Sequence, residues 1–265
     1  MIRRLTEADH EKVMELVLPK AAENLFIIGD IEAFGYDQDF QTLWGDFDHE
    51  GSLKGILLKY QQNYIPYAED VEGVDAFGFA KIIGEDDHAE MVSGLEPILE
   101  RVRPFLPWNS LHARKFYYAK CTDAENVPSD LDLVKQAKPA DVDRIVELYG
   151  HIKEFNSMET AEQKRRNMEK GTARSFFIEK DGEIISAAST AAENTQSAMV
   201  VGVCTHPSHT KKGYGSMCVS KVCQVLLAEG KELCLFYDNP AAGSIYKRIG
   251  FKDIGFWTMY KRNRD

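Results

Sequence analysis

The chain has 265 residues, 44% of them hydrophobic and 28% charged, which suits two globular domains with separate cores rather than a fibrous or disordered protein. Its net charge of −10 argues against nucleic acid as a partner, and no window approaches the roughly 20 apolar residues of a membrane span. The N-terminus lacks the apolar core of a secretory signal, and the cysteines (Cys121, Cys204, Cys218, Cys223 and Cys234) sit mostly in apolar runs, so the expectation is a reduced, cytoplasmic protein.

In chain order, residues 5–17 read as a short strand followed by a helix with an acidic first turn and apolar residues at Val13, Leu16 and Val17. Gln41–Phe47 and Leu53–Tyr60 read as strands joined by the turn Asp48–Gly51. Residues 121–130 are polar, turn-rich and without period, which places a linker at 123–130 between domains at 1–122 and 131–265. Residues 137–149 then repeat 5–17 without a gap at an offset of 132, with Ile145, Leu148 and Tyr149 on the apolar stripe. Strands at Ser175–Lys180 and Glu183–Ala192 follow, joined by the hairpin dipeptide Asp181-Gly182. The expected fold class is α+β: two modules in tandem, each a mixed, mostly antiparallel sheet flanked by helices.

Charge divides unevenly between them. Residues 1–130 carry 25 acids against 12 bases, and residues 131–265 carry 17 against 20. The split suggests that one half meets an anionic ligand and the other a cationic one. An acidic surface that only aids solubility is the plainer alternative.

The second half offers a place for the anion. A strand at 198–205 runs into Thr205–Ser216, an acid-free turn with Lys211, Lys212, Gly213 and Gly215, and then into a helix over about 213–229 that stops at Gly230. Free N–H groups at a helix start, with a favourable dipole, bind phosphate. Glycine admits the ligand without a Cβ in the way, and lysine adds charge without a fixed geometry. The spacing fits neither a nucleotide P-loop nor Gly-x-Gly-x-x-Gly. Cys204, His206 and His209 do not make a convincing metal set, because a strand cysteine has no fixed relation to two loop histidines. Cys234 has no neighbour to activate it as a nucleophile. Lys164-Arg165-Arg166 reads as a basic run on a helix.

The segment Val201–Gly215 resembles the acetyl-CoA-binding motif of the GNAT family of N-acetyltransferases. Asn239–Phe251 is similar to a second GNAT pattern, Asn-x-x-Ala-x-x-x-Tyr-x-x-x-Gly-Phe, at every specified position. The resemblance covers residues 131–265, within the branch that looks like glycine N-acyltransferases. It implies acetyl-CoA as co-substrate, no metal, and direct acetyl transfer to the primary amine of a small acceptor. The implied cofactor-binding residues are Val203, Cys204, Thr205, Thr210, Lys211, Lys212, Gly213, Tyr214, Gly215, Ser216 and Asn239. By the resemblance, the Val203 N–H polarises the thioester carbonyl, Cys204 and Thr205 hold the pantetheine arm, and Tyr246 protonates the departing thiolate.

Two positions depart from the family. Thr210 stands where Arg or Gln is usual, with Lys211 beside it to compensate. Ala198 stands where the histone-acetyltransferase branch has its glutamate. Glu193 is the nearest acid and a weak candidate for the general base; a water chain or an amine that arrives deprotonated would serve equally. A longer acyl chain as donor, and a non-catalytic acyl-CoA-binding regulator or scaffold, remain alternatives.

In the first half the same offset puts the turn on Gly73–Ile83, which holds Gly78 but neither Gly-x-Gly nor paired lysines. Its strand-to-helix candidate, Ala89–Glu100, contains one glycine and carries Glu96 and Glu100 where phosphate would be repelled. It is expected to be a GNAT-like module without a cofactor site that walls the acceptor pocket. Its acidity would favour a cationic acceptor such as a polyamine, an aminoglycoside or a basic peptide.

Overall fold

The computed structural model describes residues 1–123, 125–155 and 159–263; Ala124 of the expected linker therefore lies outside the described residues. The chain forms two compact units, one of residues 1–118 with 254–265 and one of residues 119–253.

Unit 1 runs β1 (Ile2–Arg4), α1 (His10–Val17), α2 (Leu25–Phe34), β2 (Asp37–Gln38), β3 (Gln41–Phe47), β4 (Leu53–Tyr60), β5 (Asn63–Ala68), α3 (Ala76–Gly84), β6 (Met91–Leu95), α4 (Glu96–Val102) and β7 (Leu111–Cys121), the last crossing the boundary between units. Strands β1, β3, β4 and β5 pair antiparallel in that spatial order, with β2 beside β3. Strand β6 joins β5 in parallel, at Asn63 with Met91 and Tyr64 with Val92. The core packs Leu57, Tyr64, Phe79, Ile83, Val92 and Leu99 between sheet and helices, each such side chain stabilising by about 1.5–3 kcal/mol.

Unit 2 repeats this order. It runs β8 (Val134–Gln136), α5 (Val142–Gly150), α6 (Ala161–Glu169), β9 (Ser175–Lys180), β10 (Glu183–Ala191), β11 (Ser197–Thr205), α7 (Tyr214–Ala228), β12 (Glu232–Tyr237) and α8 (Pro240–Ile249). Strands β8 to β11 pair antiparallel and β12 joins β11 in parallel. The β9–β10 turn places Asp181 at φ 53° and Gly182 at φ 86°, the left-handed pair that a two-residue hairpin requires. One sheet face packs Phe176, Ile185, Val200 and Leu235 against Val219, Val222 and Leu226 of α7. The other packs Phe177, Ile184 and Ala187 against Ile145, Leu148 and Tyr149 of α5.

The repeat reaches the detail of the helix starts. The Thr6 N–H donates to Asp9 Oδ2 at 3.0 Å, and the Lys138 N–H donates to Asp141 Oδ2 at 2.9 Å. Both aspartates pair with an arginine, Arg3 and Arg144 respectively.

Two boundaries differ from the sequence reading. The final strand β13 (Lys252–Arg262) belongs from residue 254 to unit 1, where it pairs antiparallel with β6 from Trp257–Leu95 to Lys261–Met91. No signal local to residues 254–262 says which sheet that strand will join. In unit 1, moreover, the counterpart of the acid-free turn is the β5–α3 connection at 69–75, whereas Ala89–Glu100 forms β6 and α4 and so matches β12 and α8.

Candidate active site

Strands β11 and β12 stay together only briefly. Their register runs from Ser197–Glu232 to Met199–Cys234 and stops there, so β11 continues from Val200 to Thr205 without β12 beside it. A bulge bends the free part. Ala187 stands opposite Cys204 and Ser189 opposite Val201, leaving Gly202 and Val203 to share Ala188 as their partner. Gly202 takes φ 60°, the conformation that lets one extra residue enter a strand.

The chain then turns through Pro207–His209 and Lys211, at φ 62°, to Gly213, at φ 80°, the N-cap of α7. The His206 Nδ1 accepts from the Ser208 N–H at 3.3 Å, and Thr210 Oγ1 donates to the Pro207 carbonyl at 3.3 Å. Gly213 has no side chain to cap the helix, so the first N–H groups of α7 are left for a ligand. A Cβ on Gly215 would stand 3.3 Å from Thr205 Oγ1, so glycine keeps the floor of the turn at backbone level.

Strand, turn and α8 enclose a cavity of about 450 Å³, a usual size for a small-molecule site. It is lined by Val203, Cys204, Thr205, Thr210, Lys211, Lys212, Gly213, Tyr214, Gly215, Ser216 and Tyr246. The lining also includes His209, weighed above only as a metal ligand, and Ala242, Ile245 and Arg248, which the motifs do not single out. Helical spacing from Tyr246 would have found Ala242 and Ile245, and the charge of Arg248 would have suggested an anion. The acid-free turn, the open helix start and three cations suit a pyrophosphate-bearing co-substrate such as acetyl-CoA.

Tyr246 packs edge-on against Phe251, ring centroids 6.0 Å apart, and burial raises its pKa above the ordinary phenol value. It keeps its proton at neutral pH. Cys204 is buried, and burial pushes its thiol up to about 12, which disfavours the thiolate.

Two named residues fall outside the cavity lining. Asn239 caps α8, its Oδ1 accepting from the Ala241 N–H at 2.9 Å, which sets where the helix carrying Tyr246 begins. Glu193, the candidate base, is buried. Its side chain is 1% exposed and accepts from Arg174 at 2.7 Å and Lys231 at 3.3 Å, with Thr190 also donating to it. Among the described residues, no group of three or more His, Cys, Asp or Glu side chains could hold a metal, and no helix is long and apolar enough to cross a membrane.

Comparison with known proteins agrees with this geometry. A GCN5-related N-acetyltransferase from Sphaerobacter thermophilus superposes with a TM-score of 0.63 at 13% identity, covering 99% of this chain and 95% of that one. A Drosophila protein superposes at 0.69 with 10% identity, over 99% and 98% of the two chains. A tandem GNAT protein from the clavulanic acid biosynthesis pathway does so at 0.59 with 10% identity, over 100% and 99%. Curated proteins give no match in sequence. Residues 142–251, which hold the cavity, match the profile described as the acetyltransferase (GNAT) family, and the chain has the fold of the GNAT-family acetyltransferases.

Proposed function

We propose that the protein is an acetyl-CoA-dependent N-acyltransferase that moves an acetyl group directly to the primary amine of a small, cationic acceptor. One observation carries the reading. The end of β11 that β12 does not pair, the open start of α7 and the Tyr246 side chain line a single cavity. Acetyl-CoA supplies an activated acyl group as a thioester. Lys211, Lys212, Arg248 and the α7 N–H groups would hold its phosphates, and the Cys204–Thr205 backbone its pantetheine arm.

The Val203 N–H would polarise the carbonyl. A donor aimed at developing oxyanion charge is worth roughly 2.7–4 kcal/mol. Tyr246 holds the proton that the leaving thiolate takes up. Glu193 is already committed to Arg174, Lys231 and Thr190, and among the described residues no Asp or Glu lines the cavity, so the acceptor amine loses its proton to a group other than a cavity carboxylate, such as water or the lining His209, or arrives without it.

Unit 1 we read as a GNAT-like module without a cofactor site. Its β5–α3 turn carries Glu69, Asp70, Glu72 and Asp75, whose charge opposes a phosphate. That no carboxylate among the described residues lines the unit 2 cavity supports the second reading, a non-catalytic acyl-CoA-binding regulator. Thiol release from acetyl-CoA, followed with and without a panel of polyamines, separates the two: amine-dependent release supports the enzyme, and binding without release supports the regulator.

A further inference from the structure

Helix α6 docks on unit 2 through a lysine. Lys164 is its one fully buried residue, with a side chain 3% exposed. The Nζ donates to Ser189 Oγ at 3.1 Å and stands 3.9 Å from Glu159. The same Ser189 hydroxyl lies 3.1 Å from Tyr149 Oη and 2.8 Å from Ser175 Oγ. One hydroxyl has one proton and two lone pairs, so accepting from Lys164 and Tyr149 while donating to Ser175 uses it fully. Lys164, Ser175, Ser189 and Tyr149 are all buried.

Such an arrangement is costly for stability alone. Burial lowers the pKa of Lys164, a sign that the charged amine is disfavoured there. An apolar residue of similar volume would dock α6 as well or better. What the network does hold is the bulge of β11. Ser189 pairs with Val201 at its edge. Tyr149 Oη occupies the space over Gly202, where a Cβ would stand 2.6 Å from it. Val203 is the next residue and lines the cavity.

We infer that Lys164, Ser189 and Tyr149 form a positioning network that fixes the β11 bulge and, through it, the direction of the Val203 N–H. The inference rests on the acyl-transfer reading, in which that N–H polarises the thioester. Tyr149 acts at Gly202 and Lys164 through the Ser189 hydroxyl at the edge of the bulge, and substituting either relaxes the bulge without removing a cavity-lining group.

The test is isotope-edited infrared spectroscopy of acetyl-CoA, labelled at the acetyl carbonyl and bound to the full chain. The wild-type protein is expected to move the carbonyl stretch to lower wavenumber than in free acetyl-CoA. Lys164→Met and Tyr149→Phe are each expected to lose about half of that displacement or more, with acetyl-CoA Kd changed by less than about twofold and with Lys164→Met melting no lower than wild type. Variants that keep the full displacement overturn the inference alone. So does a Lys164→Met protein that unfolds while Tyr149→Phe keeps the displacement, because the lysine is then a structural anchor. Bound acetyl-CoA with no displacement in the wild type overturns the acyl-transfer reading, and the inference falls with it.

Discussion

The Glu193 carboxylate, 1% exposed, accepts from the Arg174 guanidinium at 2.7 Å. Burial pushes the Glu193 pKa up, but hydrogen bonds from Arg174 and Thr190 and the charges of Arg174 and Lys231 outweigh it and hold the carboxyl below the ordinary glutamate value. Glu193, named from the sequence as a candidate base, is therefore a structural ion-pair centre. A depressed carboxylate pKa contributes stability in full above its unfolded value, about 4.3, and loses it as pH falls through the folded value. Glu193→Gln should cost about 1.5 kcal/mol at pH 7, the loss of a charge-assisted contact, because Arg174 keeps its pair with Glu229. The deficit against wild type should shrink below about pH 4, and the pH profile of kcat should keep its shape. Denaturant melts between pH 3 and 8, beside rate profiles of both proteins, check this.

Tyr246 retains the phenol proton because burial raises its pKa. Tyr246→Phe should lower kcat by about tenfold or more while leaving the Kd for acetyl-CoA nearly unchanged, since the ring and its packing on Phe251 stay. Steady-state kinetics with a calorimetric Kd separates the two effects. An unchanged kcat would remove Tyr246 from the chemistry.

Lys211, Lys212 and Arg248 bring positive charge to the cavity lining. Replacing any one with Gln should raise the Kd for acetyl-CoA by roughly tenfold at low salt, the loss of one charge-assisted contact of about 1.5 kcal/mol. The difference from wild type should narrow as salt rises. A Kd insensitive to both charge and salt would place the phosphates elsewhere.

Gly213 sits at φ 80° as the N-cap of α7. Alanine there costs about 1–2 kcal/mol in the left-handed conformation. Gly213→Ala should lower Tm and weaken acetyl-CoA binding together, whereas Lys212→Gln should weaken binding and leave Tm near wild type. Thermal melts with and without acetyl-CoA distinguish them.

Much of this site is legible in the sequence because it is local. The turn 205–216 and the helix from Pro240 are fixed by glycine, proline and a capping asparagine, so the sequence places the cavity lining on the right elements. Asn239 shows the limit: its motif position implies a ligand contact but does not say that its side chain also caps α8. Glu193 and Lys164 are misjudged for one reason. Charged residues are seldom fully buried, so Glu193 reads as an acid free to act as a base and Lys164-Arg165-Arg166 only as a basic run on a helix. Their partners, Arg174 and Ser189, lie 19 and 25 residues away along the chain. The destination of β13 depends on a pairing with β6, at still longer range.

The most direct test of the account is a calorimetric titration of the full chain with acetyl-CoA at low salt. One site per chain is predicted, filled in unit 2, with affinity reduced by Lys211→Gln and unaffected by substitutions in the acidic β5–α3 turn of unit 1. No binding, or two sites per chain, would contradict it.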